Sequence, residues 1–302
     1  MLGVSRAIAY APLVTSHSSN DGPDPATPSM PEAASRSGAA AGPGSADTAW
    51  REEELAGNVH QRGDKPEKVR RMFAAIAGSY DLNNRVHSFW QDQRWRRFAV
   101  KVAKVGPTDE VLDVACGTGD LTRAFAKARP KRVLGVDFTT EMLDIARARR
   151  VRDEQSGSAP AIITSYAEGD ATKLAFADGS FDVLSIAFGI RNVGEPAKAL
   201  AEFFRVLRPG GRLIILEFDK PGFAPIRVLS EFYTSRVMPI TATLISRDRS
   251  GAYKYLPRSV STFLDREQLA QGVRTAGFGE VQQWPLSFGV CVCTRGVKPA
   301  RS

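Results

Sequence analysis

Val111-Leu112-Asp113-Val114-Ala115-Cys116-Gly117-Thr118-Gly119-Asp120 is the stretch that decides the fold of this 302-residue chain. An apolar run enters an acidic, glycine-punctuated turn and an amphipathic segment follows, which predicts strand, tight loop and helix. Gly117 and Gly119, one residue apart, let a ligand approach the backbone where a Cβ would clash. A second apolar run, Val133 to Val136, closes on Asp137, about 20 residues beyond the loop, the spacing at which such folds hold a ribose. The pattern points to a nucleoside-containing ligand.

Strand and helix patterns alternate from Glu110 onward. Strands are expected at 110–114, 132–137, 161–167, 181–187 and 212–218, and helices at 121–128, 142–151 and 196–207. Short connections between them imply a mostly parallel α/β sheet with helices on both faces. Arg208-Pro209-Gly210-Gly211 stops the third helix and turns the chain. Residues 219–260 read as an irregular insert on the substrate side, followed by a helix at 265–276 and a C-terminal antiparallel hairpin, 281–286 with 290–293.

Ahead of the glycine loop, residues 63–106 read as a helical cap at the start of a single domain, 63–302. Asp64 caps the first helix, and the second spans 84–105 with Val86, Phe89, Trp90, Trp95 and Phe98 on or near its buried side. Ala77-Gly78-Ser79-Tyr80-Asp81 reads as a polar hinge between them. Residues 1–62 read as a disordered extension, because the Ser-, Ala-, Gly- and Pro-rich stretch 16–49 cannot offset its ordering entropy. Pro12 breaks the apolar run of the first fifteen residues, so an extension or a misassigned start is favoured over a targeting peptide.

Composition is that of a globular protein, with 43% hydrophobic and 25% charged residues. No run of about 18 apolar residues exists to span a membrane. The net charge of +8 is scattered along the chain, which favours a surplus of surface arginine over a nucleic-acid footprint. Three cysteines, an odd number, argue for a reducing, cytoplasmic setting. Cys291 and Cys293 are too close for a zinc pair and read as core, so no metal is expected.

A dinucleotide loop would carry a third glycine where Thr122 stands. Asp120, directly after the second glycine, would sit badly beside a pyrophosphate. S-adenosylmethionine, a sulfonium without phosphate, fits better, with Asp113, Asp137 and the Asp170-Ala171 pair as further contacts. Asp120 could equally be a helix cap, Asp137 a turn residue and Asp170 a solvated loop residue.

From about Val69 to Lys298 the chain resembles the C-methyltransferases of ubiquinone and menaquinone biosynthesis. The resemblance rests on Tyr80-Asp81-Leu82-Asn83, Trp95-Arg96, Cys116 to Asp120, Phe188-Gly189-Ile190-Arg191-Asn192-Val193, Arg205 to Gly211, Leu216-Glu217-Phe218, Tyr253-Lys254-Tyr255-Leu256 and Leu286 to Val290. The glycine loop and the Pro-Gly-Gly turn are shared by many methyltransferases; the Phe188–Val193 and Tyr253–Leu256 segments are more specific. The resemblance implies a class I, Rossmann-like S-adenosylmethionine-dependent methyltransferase with a seven-stranded sheet and cofactor contacts at Thr118, Asp137, Asp170 and Ala171, beside the contacts expected at Gly117 and Gly119 from the loop itself. Ala187 stands where the family often has serine, and Thr294 where it often has histidine.

The expected reaction is methylation of a ring carbon of demethylmenaquinol, with the methoxy-polyprenyl-benzoquinol of the ubiquinone route as the alternative and an RNA or protein methyltransferase as the competing class. Arg191 and Asn192 are expected to stabilise the phenolate, although Arg191 could instead pair with an acid. Tyr80 is expected to reach the same oxygen, or alternatively to cover the cofactor. No histidine is expected to act as base. Phe232, Val237, Met238, Ile240 and Leu244 are expected to line a cleft for the polyprenyl tail, with core packing as the alternative. Arg94, Arg96, Arg97, Arg247 and Arg249 are expected to touch anionic lipid at the inner membrane face. No nucleic-acid partner is expected, and a homodimer is left open.

Overall fold

The structure, a computed structural model, describes residues 48–246 and 250–300. Packed structure begins well before the boundary that composition suggests. Helix α1 (Glu52–Leu55) and a 3-10 turn (Val59–Gln61) precede helix α2 (Lys65–His87). Trp50 is buried and stacks on Tyr255 with ring centroids 4.6 Å apart, and Val59, Val69, Met72 and Ile76 join the same apolar cluster. The backbone N–H groups of Ala49 and Trp50 both donate to the Ser250 carbonyl at 3.0 Å. Residues 48–62 are therefore part of the fold; residues 1–47 of the expected extension lie outside the described residues.

The cap is also differently hinged. Helix α2 runs unbroken through Gly78 and Tyr80, so the expected hinge at 77–81 is helix interior. The break falls at Phe89 and Trp90, with φ of 51° and 59°, before helix α3 (Gln91–Ala103). Trp95 is buried as expected, but Phe89 and Trp90 are exposed, because the left-handed turn swings them off the buried face.

Strand β1 (Glu110–Val114), helix α4 (Asp120–Ala126), strand β2 (Arg132–Asp137), helix α5 (Thr140–Gln155), the short helix α6 (Ala159–Ile162) and strand β3 (Thr164–Glu168) form one half of the sheet. Strand β4 (Phe181–Ala187), helix α7 (Pro196–Val206) and strand β5 (Leu207–Phe218) begin the other. The expected irregular insert is instead helical: α8 (Ala224–Phe232), a π-helical turn (Tyr233–Val237), α9 (Met238–Ser246) and α10 (Ala252–Thr262). Pro225 is accommodated because it sits in a first turn, where no backbone N–H is needed. Helix α11 (Arg266–Thr275), strand β6 (Gly279–Leu286) and strand β7 (Cys291–Val297) complete the chain. None of the described helices is long and apolar enough to cross a membrane.

The seven strands lie in the order β3-β2-β1-β4-β5-β7-β6, parallel from β1 to β5, with β7 antiparallel to both β5 and β6. Both faces of the sheet are covered, so consecutive residues are buried: Leu112, Leu184 and Phe203 pack on one side, Val111, Val183, Phe125, Cys291 and Cys293 on the other. Because β1 is flanked by β2 and β4, the connections diverge there and leave a crevice at the carboxyl ends of β1 and β4.

Trp50→Ala should lower the unfolding free energy by about 3–5 kcal/mol, the usual result of emptying a buried aromatic site. Urea unfolding reads this directly; a loss below about 0.5 kcal/mol would mean that the segment does not belong to the folded unit.

Candidate active site

That crevice holds a cavity of about 360 Å³, a volume within the range of small-molecule sites. Gly117, Asp137, Phe138, Met142, Asp170 and Ala171 line it from the β1–β3 half of the sheet. Pro66, Phe73 and Tyr80 of the cap, with Ala187, Phe188, Asn192 and Val193 from the end of β4, supply further wall. Phe73 and Tyr80 meet edge to face, their centroids 5.8 Å apart.

The nucleoside end is built from acceptors. Gly117 has φ 56°, and a Cβ added there would meet nothing within 4 Å, so the cavity lies open beside its backbone. The Gly117 N–H donates to Asp137 Oδ2 at 2.8 Å and the Thr139 N–H to Oδ1 at 2.9 Å. These bonds fix the carboxylate while leaving lone pairs for two vicinal hydroxyls. Burial pushes the Asp137 pKa up, against the pull of the Thr139 and Gly117 N–H groups. Asp170 Oδ1 accepts from the Thr172 N–H and hydroxyl at 2.8 and 2.9 Å, leaving Oδ2 without a partner among the described residues. An apolar slot bounded by Phe138 and Met142, with a free carboxylate oxygen at its edge, fits an adenosyl group.

Four expected contacts have other duties. Asp113 is buried behind the loop, where it accepts from Thr122 Oγ1 at 2.7 Å and Ser185 Oγ at 2.6 Å. Thr122, standing where a dinucleotide loop has glycine, is thus needed for its hydroxyl. Thr118 is buried and donates through Oγ1 to Asp81 at 2.8 Å. Gly119 caps α4 at φ 83°, and a Cβ there would come within 2.5 Å of the Tyr166 hydroxyl, so its missing side chain serves packing. Arg191 does not line the cavity: Nη1 donates to Glu217 Oε1 at 2.6 Å and to the Phe188 carbonyl at 2.7 Å, with the guanidinium over the Phe218 ring. A buried cation demands such a partner, and Glu217 at the end of β5 provides it.

Asn192 and Tyr80 do reach the cavity. The Tyr255 hydroxyl donates to Asn192 Oδ1 at 3.0 Å, and Asn192 Nδ2 donates to the Phe188 carbonyl at 3.2 Å. Burial pushes the Tyr80 phenol pKa up. Asp120 points away from the ligand space and is held by Arg85 (2.9 Å), Gln93 (2.9 Å) and Arg149 (3.4 Å). Burial opposes its ionisation, but Arg96, Arg85, Gln93 and Arg149 outweigh that and hold its pKa low. At the first residue of α4, its charge is therefore answered by the cap and by α5.

The expected tail cleft is not part of this cavity: Phe232, Ile240 and Leu244 are exposed, Val237 is half-buried and Met238 is buried. Arg96 is buried beside Asp120 and cannot touch lipid; Arg94 and Arg97 are exposed, and Arg247 and Arg249 lie outside the described residues. No described histidine lines the cavity. His60 sits between the Ser259 carbonyl and Lys65, and burial pushes its pKa down to about 4. Thr294 is buried in β7, accepts from Gln283 at 3.0 Å and does not line the cavity. Among the described residues no cluster of His, Cys, Asp and Glu is arranged to hold a metal. Sequence reasoning gave no site role to Phe73, Phe138, Met142 or Tyr255; the available signals were the position of Phe138 directly after Asp137 and that of Tyr255 within the specific Tyr253–Leu256 segment.

Burial raises the Asp113 pKa to about 6 from 3.8, against the hydrogen bonds from Ser185 and Thr122. The native state therefore binds more proton than the unfolded chain between those values, and this contribution to stability is lost as pH rises through about 6. Relative to the parent, Asp113→Asn should gain about 2 kcal/mol in unfolding free energy between pH 4 and pH 8. A pH-independent difference would contradict the assignment.

The ubiE/COQ5 methyltransferase family matches residues 61–298. A demethylmenaquinone methyltransferase from Thermus thermophilus is 42% identical over 76% of this chain and 100% of its own. One from Deinococcus radiodurans is 41% identical over 77% and 93%. The ubiquinone/menaquinone biosynthesis C-methyltransferase UbiE of Geotalea daltonii is 40% identical over 78% and 98%. Among solved structures, an S-adenosylmethionine-dependent methyltransferase from Thermotoga maritima, described as a possible histamine N-methyltransferase, superposes with a TM-score of 0.51 at 24% identity, covering 76% of this chain and 99% of that one. The [4+2]-cyclase SpnF gives 0.51 at 18% identity over 69% and 82%, so the fold alone does not choose the reaction. With the family match spanning the cap, the cavity and the C-terminal hairpin, the chain belongs to the ubiE/COQ5 methyltransferase family.

Proposed function

We propose that this enzyme methylates a ring carbon of demethylmenaquinol, giving menaquinol, with S-adenosylmethionine as donor. The observation that carries the reading is the cavity itself: a carboxylate-lined nucleoside end, at Asp137 and Asp170, continuous with an aromatic wall from the cap. The names of its relatives supply the acceptor class. S-adenosylmethionine, when bound, supplies an electrophilic methyl group on sulfur.

The protein's part is to position and to hold protons. Asp137 and Asp170 would hold the nucleoside of S-adenosylmethionine in the cavity whose further wall is formed by Phe73, Tyr80 and Asn192. Holding the ring carbon in line with the S–CH3 bond removes much of the entropic barrier. The Tyr80 phenol, kept neutral by burial, donates to the quinol oxygen and so favours the phenolate, whose proton passes to water and whose ring carbon is the nucleophile. Asn192 donates to the same oxygen through its second amide hydrogen, its orientation set by Tyr255 and the Phe188 carbonyl. The C–C bond forms as the S–CH3 bond breaks, and the ring proton leaves to water at the mouth, where Glu195 and Lys198 pair at 3.6 Å. Arg191 acts one step removed, by bracing the Phe188 carbonyl that Asn192 also uses.

Within this reading, residues 63–106 are the substrate-side cap, and the acceptor arrives with an apolar tail from a membrane. A ubiquinone-type ring is the second reading, because the Geotalea relative carries both pathway names.

Labelled S-adenosylmethionine offered with demethylmenaquinol, methoxy-polyprenyl-benzoquinol and bulk RNA should label the naphthoquinol. Label in RNA alone would reject the quinone reading. Tyr255→Phe should lower kcat about tenfold, the worth of one hydrogen bond of about 1.4 kcal/mol, while calorimetry finds the affinity for S-adenosylmethionine unchanged. Equal losses in both would mean that Tyr255 only supports the fold.

A further inference from the structure

Two tight turns on one edge of the molecule hold aromatic side chains out in water. Phe89 and Trp90 follow α2 in left-handed conformation and are 70% and 58% exposed. Phe288, at φ 59° in the β6–β7 connection, is 82% exposed. Bulky residues rarely adopt positive φ, and strain of this kind persists where the surrounding structure over-determines it. The turns are neighbours: the Trp95 indole N–H donates to Ser287 Oγ at 2.9 Å, and Ser287 Oγ donates to Gln91 Oε1 at 3.4 Å. Gln91 directly follows Trp90.

Helix α8 extends the same surface. The Phe89 ring lies 5.9 Å from that of Tyr233, which follows the last residue of α8. No residue of α8 is buried, and Val228, Leu229 and Phe232 share one exposed face at i, i+1, i+4 spacing. Exposed arginines stand beside the apolar residues: Arg94 and Arg97 on α3, Arg227 on α8 and Arg236 in the π-helical turn, none with an ion-pair partner among the described residues. Glu231 is the one acid in residues 224–237.

We propose that this aromatic and basic edge is a docking surface for an anionic lipid bilayer. Aromatic rings favour the headgroup level, an amphipathic helix lies in that plane, and the arginines meet acidic headgroups. A second copy of this chain is the poorer occupant, since a two-fold interface would bring the same arginines face to face. Tyr80 lines the cavity seven residues before His87 on α2, about 10 Å along the helix, so a lipid-borne acceptor would enter close to the bilayer. This last step rests on the proposed quinol substrate; the docking does not.

The test uses the full chain without substrate, with vesicles of phosphatidylcholine alone or mixed with phosphatidylglycerol. Of the four tryptophans only Trp90 is exposed, Trp284 being half-buried and Trp50 and Trp95 buried, so emission should move to shorter wavelength on the mixed vesicles and stay put in Trp90→Phe. Phe89→Ser with Leu229→Ser and Phe288→Ser should lower vesicle partitioning at least about tenfold, and Arg94→Gln with Arg227→Gln should erase the preference for anionic vesicles. The variants' near-ultraviolet circular dichroism and their turnover of a tail-less quinol should match the parent, which separates lost docking from lost folding. Parent protein that ignores anionic vesicles, or apolar variants that bind as the parent does, would overturn the proposal. So would a parent dimer that the same substitutions turn into monomers. If no quinol is methylated but the vesicle results hold, the docking surface stands and the substrate reading falls.

Discussion

Two carboxylates and the arginines between them hold the site closed. Asp81, inside α2, accepts from Thr118 and pairs with Arg149 of α5; Asp120, at the start of α4, takes Arg85 of α2 and the same Arg149. The network therefore ties the cap, the glycine loop and the helix after β2 into one unit. These charges are largely screened from bulk water, so salt weakens them less than it would exposed pairs. They also explain why Tyr80 is a fixed wall: its neighbour Asp81 is anchored to the loop.

Most of the sheet was legible in the sequence because β1, β2 and β4 each carry an apolar run. Strand β3 was misplaced, since Ala161-Ile162, expected to open it, belongs to α6 and the strand is Thr164–Glu168; Arg208-Pro209-Gly210-Gly211, expected as a turn, lies within β5. The meeting of Asp137 and Asp170 in one crevice was legible for the same local reason: Asp137 ends β2, and Asp170 follows the end of the neighbouring β3 by two residues. The remaining illegible features depend on contacts distant in sequence. Trp50 looks like the end of a low-complexity tail until Tyr255 is brought against it. Arg191 looks catalytic beside Asn192 until Glu217, from the next strand, claims its guanidinium. Phe89 and Trp90 fit a helical stripe, and only the backbone reversal at that point turns them outward.

The glycine loop shows how a sound conclusion can rest on mistaken particulars. Thr122 and Asp120 favoured a sulfonium ligand over a dinucleotide, yet Thr122 serves Asp113 and Asp120 serves the cap. What these residues report is a loop braced from behind by hydroxyls and carboxylates. Such bracing leaves the backbone face at Gly117 free, with the Asp137 carboxylate hydrogen-bonded directly to it.

The stack of Trp50 on Tyr255 bears on the order in which the molecule can assemble. The strands and helices between Glu110 and Phe218 have their sheet partners close behind them and can collapse while the ribosome is still working. Trp50 is made first of all the described aromatics and waits almost the whole of synthesis for its partner. Tyr255 then closes that stack and orients Asn192 in one event. A nascent chain would thus possess Asp137 and Asp170 on their strands well before Asn192 is oriented, and the finished cavity wall would arrive only with the last helices.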